Sequence, residues 1–130
     1  MKKIVLVTAC AAALVTAAQA AAPSIYPHVY TTRITGASPA ALNGTWRLAI
    51  QRTTFGVSKG GVPAVAGSVQ IAGNKITFHD LAGPLACKGS QAAGTYTWRL
   101  AGTTLTMTKV KDTCAGRPQI LGGHRFTRVA

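Results

Sequence analysis

The segment GTYTWRLAGTTLTMTKVKDTCAGR, residues 94–117, decides the fold that the sequence predicts. Apolar and polar side chains alternate along two arms, which a short A-G-T turn at residues 101–103 separates. A period of two in arms rich in Thr, Tyr and Trp is typical of a half-buried β-hairpin. The face that is expected to point into the core carries Tyr96, Trp98, Leu100, Leu105 and Met107.

Short strands with similar alternation are predicted on both sides of this hairpin. They cover residues 45–52, 53–57, 67–72, 75–80, 119–121 and 124–129. The last two are expected to pair with each other around Gly122-Gly123. Gly73-Asn74 suits a tight hairpin turn, whereas residues 58–66 and 81–93 are interpreted as loops. The total of seven or eight short strands, with no helical pattern beyond the N-terminal run, predicts an all-β antiparallel meander that forms a barrel or a sandwich.

The N-terminal residues are interpreted as an export signal that is not part of the fold. Two lysines precede an apolar, Ala-rich run, and A-Q-A at residues 18–20 supplies the small-x-small pattern of a signal peptidase site. Residues 1–20 are therefore predicted to be removed, which leaves a periplasmic or extracellular protein without a transmembrane segment. Lipidation of Cys10 is a weaker alternative, because only residues 4–8 would form its hydrophobic core.

The rest of the chain is long enough for one small domain. Residues 21–41 contain several prolines and are interpreted as an extended leader with no regular element before Leu42, so that residues 42–130 form a single β-barrel domain. Export places Cys87 and Cys114 in an oxidising compartment, which predicts one disulfide between them. This bond would close a loop of about 28 residues and would stabilise the fold by roughly 3–4 kcal/mol.

The charge balance is strongly basic. The chain has 14 Lys and Arg, two Asp and no Glu, for a formal charge of +12, and loss of Lys2 and Lys3 with the signal leaves +10. Such a field attracts anionic partners. The basic residues do not form a run, so two interpretations stay open: solvated strand faces, or a dedicated site for an anionic envelope component.

Four motifs follow one another along the domain. They are GTWRL at residues 44–48, ITFHD at 76–80, the central hairpin, and D-x-C-A-G-R at 112–117 before a basic-aromatic strand. Over about residues 42–128 this arrangement resembles the small exported lipocalin-like, calycin-type proteins of bacteria. The resemblance implies a meandering antiparallel barrel that takes a small apolar ligand, with one end closed by Trp46 and either Arg117 or Arg125.

The barrel interior is the binding site that the resemblance implies, although barrels of about eight strands are either filled by side chains or hold one small ligand. The side chains expected to line it are Trp46, Leu48, Phe78, Tyr96, Trp98, Leu105, Met107 and Phe126. The predicted function is an exported lipocalin-like binding protein for a small apolar or amphiphilic ligand. The alternative is a basic envelope protein that binds polyanions or a protein partner, for example as an inhibitor.

Enzymatic activity is not expected. A G-x-S-x-G pattern occurs at residues 56–60, but Gly-Val-Pro follows at residues 61–63, where the nucleophile elbow of a hydrolase needs a helix. Asp80 and Asp112 are the only carboxylates available for acid–base catalysis.

Both aspartates are expected to have structural roles instead. Asp112 lies two residues before Cys114, where an aspartate commonly caps a turn. Asp80 closes a strand and is expected either to form a turn or to pair with Arg99 or Arg117, because cations greatly outnumber carboxylates. Paired carboxylates are poorly suited to act as general acids.

Cofactor, metal and specific nucleic-acid sites are not predicted. The spacing of His28, His79 and His124 follows no metal-ligand pattern. Aromatic residues on a basic sheet are typical of single-strand binders. Tyr96 and Trp98, however, share a face with leucine and are better explained as core.

Overall fold

The chain folds as a closed barrel of eight antiparallel strands in sequence order, with the first strand paired to the last. The structure, a computed structural model, describes residues 11–12 and 23–130, so Cys10 and the predicted cleavage site after Ala20 lie outside it. The elements are β1 (His28–Ile34), β2 (Gly44–Ile50), β3 (Thr54–Lys59), β4 (Val62–Ala72), β5 (Lys75–Ala82), β6 (Ala93–Ala101), β7 (Thr104–Asp112), α1 (Arg117–Leu121) and β8 (Arg125–Arg128), with short 3-10 turns at Ala40–Leu42 and Gly89–Gln91. The predicted all-β antiparallel meander with one disulfide is confirmed.

The central hairpin has the predicted register. β6 and β7 pair with Trp98 opposite Met107 and Leu100 opposite Leu105. Met107 and Leu105 are buried, Trp98 and Leu100 are partly buried, and Arg99 between them is exposed. Because successive side chains of a strand point to opposite faces, one set of alternate positions fills the barrel and the other faces solvent.

The two ends of the barrel differ in their connections. At the end that we call the base, short turns join β2 to β3, β4 to β5 and β6 to β7. At the opposite end, the mouth, longer connections join β1 to β2, β5 to β6 and β7 to β8, beside one short turn between β3 and β4. The predicted disulfide links the last two of these, with the Cα atoms of Cys87 and Cys114 6.1 Å apart, within the range that a disulfide requires.

The prediction that no regular element precedes Leu42 is wrong, because residues of the proline-containing leader form β1. This strand pairs with β2 along its whole length and with β8 near Tyr30. Pro27 directly precedes β1, as expected for proline at the margin of a strand, and Pro39 lies beyond the end of β1, so neither interrupts its hydrogen-bond ladder.

The interpretation of residues 58–66 as a loop is also wrong. β3 extends to Lys59 and β4 begins at Val62, so that only Gly60 and Gly61 form the turn. Their φ angles are 57° and 82°, and two successive positive values define the tight hairpin turn that glycine permits. The glycine pair therefore marks a turn between long strands, not a flexible loop.

Residues 119–121 and 124–129 do not pair with each other as predicted. α1 occupies the first of these segments, and β8 lies between β7 and β1. Pro118 lies in the first turn of α1, where its missing N–H leaves no helical hydrogen bond unmade.

None of the helices in the described part of the chain is long and apolar enough to cross a membrane.

Candidate ligand-binding site at the mouth

Seven of the eight side chains predicted to line the interior form the closed core. Each of these seven residues is at most 1% exposed: Trp46, Leu48, Phe78, Tyr96, Leu105, Met107 and Phe126. The ring of Phe78 makes edge-to-face contacts with Phe55 and Tyr96, with centroids 5.0 and 5.8 Å apart, a favourable arrangement for aromatic pairs. This part of the interior is therefore filled by side chains.

Trp98, the eighth predicted interior residue, lies at the base. It packs partly against the core and borders a surface groove together with residues 23–26 and the turn between β4 and β5. Its backbone N–H donates to the carbonyl group of Asn74 at 2.8 Å. Its indole N–H is buried and has no hydrogen-bond partner among the described residues.

An apolar cavity of about 130 Å³ opens at the mouth. Its wall is formed by Leu42, Phe55, Val57, Val65, Leu85, Ile120 and Leu121, together with the disulfide, Gly116, Asp80 and Arg117. Phe55 belongs to both the core and the cavity wall, whereas Leu85 is 51% exposed at the opening. None of the eight predicted interior residues lines this cavity.

A buried ion-pair cluster supplies the charged part of the wall. Nη1 of Arg117 lies 2.8 Å from Asp112 and Nη2 lies 3.0 Å from Asp80, and none of these side chains is more than 6% exposed. Nη2 also donates to the carbonyl group of Ala92 at 2.7 Å. The prediction of an arginine partner for Asp80 is therefore confirmed for Arg117, while Arg99 is exposed on the outer face of β6.

The same carboxylates hold the backbone beside the disulfide. Asp80 accepts a hydrogen bond from the backbone N–H of Cys87 at 2.9 Å, and Asp112 accepts one from Cys114 at 3.0 Å. The second bond is the predicted turn cap. The hydroxyl of Tyr96 donates to Asp112; burial, followed by this hydrogen bond and the carboxylate charge, raises the pKa of Tyr96.

Two lysines lie next to residues of the cavity wall, in the chain or in space. Nζ of Lys59 donates to the carbonyl group of Ala41, the neighbour of the cavity residue Leu42, and lies 5.9 Å from the ring centroid of Trp46. Lys88 is exposed and directly follows a cysteine of the cavity wall. Positive charge therefore lies near a cavity whose wall is mainly apolar.

The end closure implied by the sequence resemblance involves Trp46 and an arginine. Both Trp46 and Arg117 are buried towards the mouth, and the indole N–H of Trp46 donates to the carbonyl group of Leu42 at 2.8 Å. Arg125 is exposed on β8. The cation that lies over the Trp46 ring is Lys59.

The residues weighed for catalysis or metal binding lie apart or have structural partners. The G-x-S-x-G pattern lies at the end of β3 and in its turn. Nε2 of His124 lies 2.8 Å from the carbonyl group of Gln119. Within residues 11–12 and 23–130, no three His, Cys, Asp or Glu side chains come close enough together to hold a metal ion.

Strand alternation missed the cavity because much of its wall comes from connections. Leu42, Leu85 and Ile120 belong to segments that read as turn, loop or a misassigned strand, and they meet only in the folded barrel. Their one sequence signal is that large apolar residues stand in connections made mostly of small residues, glycine and proline. The chain matches no family model, no curated protein and no solved structure.

Proposed function

We propose that the protein is an exported, lipocalin-like binding protein whose mouth cavity takes the apolar end of a small amphiphilic ligand. The observation that carries this proposal is the apolar, open cavity at one end of a closed antiparallel barrel. The protein acts by binding and not by catalysis, since its two carboxylates are both held in ion pairs.

The size of the cavity limits the part of the ligand that enters. A cavity of about 150 Å³ lined by aliphatic and aromatic side chains accommodates a benzene molecule, and this cavity measures about 130 Å³. A single ring or a short branched chain therefore fits inside. The remainder of the ligand lies at the opening, where Lys59 and Lys88 favour an anionic head group.

The ligand proposal is tested by titrating octanoate, octanol and octylammonium while recording protein NMR shifts. Octanoate is expected to bind most tightly and octylammonium most weakly, with shifts confined to the mouth. Leu85→Trp should block the opening, whereas Val110→Trp is a matched control because both residues are 51% exposed. Absence of saturable binding by all three probes, or equal binding by both variants, overturns the proposal.

Export is supported by the disulfide, because such bonds persist mainly in oxidising compartments. N-terminal sequencing of the protein recovered from its host should give Ala21, or a residue within two positions of it, as the first residue. A mature chain that begins with a lipidated Cys10 would contradict this cleavage site.

We also propose a second function, binding of an anionic partner. The chain has only two acidic residues, Asp80 and Asp112, and both side chains are buried against Arg117. Of the 14 Lys and Arg residues, Lys2 and Lys3 lie outside the described residues and Arg117 is buried, which leaves eleven cations and no exposed acidic side chain to balance them. Retention on immobilised heparin that falls steeply with salt is the expected result.

A further inference from the structure

The outer surface of β5–β8 carries a compact group of cations that neither the cavity nor the core uses. Lys75, Arg99, Lys111 and Arg125 are all exposed. Each follows or precedes an inward-facing residue, such as Ile76 beside Lys75. Side chains alternate between the two faces of a strand, and a register shift between β6 and β7 places Lys111 opposite the outward-facing Thr95, so all four cations point away from the barrel.

Threonines occupy the positions between these cations. Thr106 pairs with both Arg99 and Arg125, so the two guanidinium groups are separated by one strand. On the next row Lys75 pairs with Thr97, and one row further Lys111 pairs with Thr95. We call this surface the threonine–cation face; it consists of the four cations with Thr77, Thr95, Thr97, Thr106 and Thr108.

The spacing of this face suits a ligand that is longer than one charged group. Neighbouring strands lie about 4.8 Å apart and alternate residues of a strand about 7 Å apart. The Cα atoms of Arg99 and Arg125 are therefore roughly 10 Å apart, whereas Lys75 lies one row away from them and Lys111 two rows away. One small anion cannot contact all four cations, whereas an extended polyanion can.

The cations are concentrated on this side of the barrel. The outward positions of β1–β4 carry only Arg33 and Arg47 among the described residues. Neither side has an exposed acidic residue, because Asp80 and Asp112 are buried. The threonine–cation face therefore combines the highest density of positive charge with a field of hydroxyl groups.

We propose that the threonine–cation face binds an anionic polysaccharide, an inference that rests on the second proposed function and assigns it a surface and a partner. Guanidinium groups bind sulfate, phosphate and carboxylate groups through paired hydrogen bonds. Threonine hydroxyls can both donate and accept hydrogen bonds, which matches the hydroxyl groups of sugars. One such bond joins the hydroxyls of Thr77 and Thr95 at 3.0 Å.

The composition of the face favours a polysaccharide over a single-stranded nucleic acid. Binders of single strands use exposed aromatic side chains on which bases stack. Among the described residues, no Phe, Tyr or Trp points outward from β5–β8, because Phe78, Tyr96 and Phe126 are buried inside and Trp98 shares their inward register. Charge and hydroxyl groups remain as the means of recognition.

The test compares two double variants in heparin binding across a salt series. Arg99→Gln/Arg125→Gln removes two arginines from the face, and Arg33→Gln/Arg47→Gln removes two exposed arginines from β1 and β2. In the first variant, log affinity should fall less steeply with log salt, and the magnitude of the slope should decrease by about 2. Each arginine that no longer binds an anionic group decreases that magnitude by about 1. The control should leave the slope close to that of the wild type, and thermal melts should show both variants folded.

The other outcomes separate the surface from the function. Equal loss of slope in both variants means that net charge alone binds the polymer, which overturns the assignment to this face but keeps the second proposed function. Failure of the wild type to bind heparin overturns both. Tighter binding of single-stranded DNA than of heparin fragments at the same salt concentration overturns the polysaccharide as partner.

Discussion

The mouth and the base close the two ends of one barrel by different means. At the mouth, three longer connections are held by the Arg117 ion-pair cluster, a disulfide and α1, and a cavity remains. At the base, short turns meet residues 23–27, where Ile25 is 1% exposed and its carbonyl group accepts a hydrogen bond from Tyr30 at 2.7 Å.

The difference shows how a small barrel can be stable and still keep an opening. Short turns allow apolar side chains to seal the base directly. Longer connections cost more conformational entropy to order, so the mouth depends on strong, specific bonds between distant segments. Because those bonds lie in the wall and not across the opening, they hold the end in shape without filling it.

The largest effect is expected from removal of the charge that holds the mouth. Arg117→Met leaves the side chains of Asp80 and Asp112 buried without a counter-charge, which should cost about 3–5 kcal/mol of unfolding free energy in urea titrations. Arg125→Met is the control. Because Arg125 is exposed, this substitution should change the unfolding free energy by less than about 0.5 kcal/mol. Similar losses in the two variants would show that the cluster does not hold the mouth.

Removal of the disulfide should have the next largest effect. Cys87→Ser/Cys114→Ser releases a link across a sequence separation of 27 residues and should lower the unfolding free energy by about 3–4 kcal/mol. In the double variant, amide exchange should accelerate in the connections of the mouth and stay unchanged in the turns of the base. Uniform acceleration along the chain would mean that the two ends are not held independently.

The two tryptophans offer a matched comparison between the ends. Trp46→Phe near the mouth loses the hydrogen bond to the partly buried carbonyl group of Leu42, which should cost about 1 kcal/mol of unfolding free energy beyond the change in packing. Trp98→Phe at the base removes a buried N–H that has no partner among the described residues, so that its polar effect should be neutral or stabilising. If Trp98→Phe lowers the unfolding free energy more than Trp46→Phe does, the indole hydrogen bond of Trp46 is not the more important of the two.

The smallest expected effect on stability at neutral pH comes from Tyr30, which lies at the base and influences stability mainly at high pH. Burial raises the pKa of Tyr30 to about 12, against an opposing effect of the Arg128 charge. The folded state therefore favours the protonated phenol, and this contribution is complete below the unfolded pKa of about 10. It is lost as the pH rises through about 12.

Unfolding free energies of the wild type and Tyr30→Phe between about pH 9 and 12 test this linkage. The variant should lose stability less steeply with rising pH, but a residual slope should remain because Tyr96 also has a raised pKa. Identical slopes for the two proteins would exclude Tyr30 as the group that titrates.

The sequence by itself determined the central hairpin, its inward face and the all-β fold class. Alternation is a local property: once residues 94–101 are extended, Tyr96 must lie on the opposite face from Thr97. The pairing of Cys87 with Cys114 was equally determined, since no other cysteine follows the predicted cleavage site. Asp112 as a turn cap for Cys114 was predictable because the two residues are only two positions apart.

Only the tertiary structure decided that β1 closes the barrel, that α1 replaces a predicted strand, and that the cavity lies at the mouth and not among the eight predicted interior residues. It also decided that Asp80 binds Arg117 and not Arg99. These features depend on which distant segments meet when the barrel closes. Local periodicity does not predict such long-range contacts, because it indicates the conformation of a segment and not which segments pack against it.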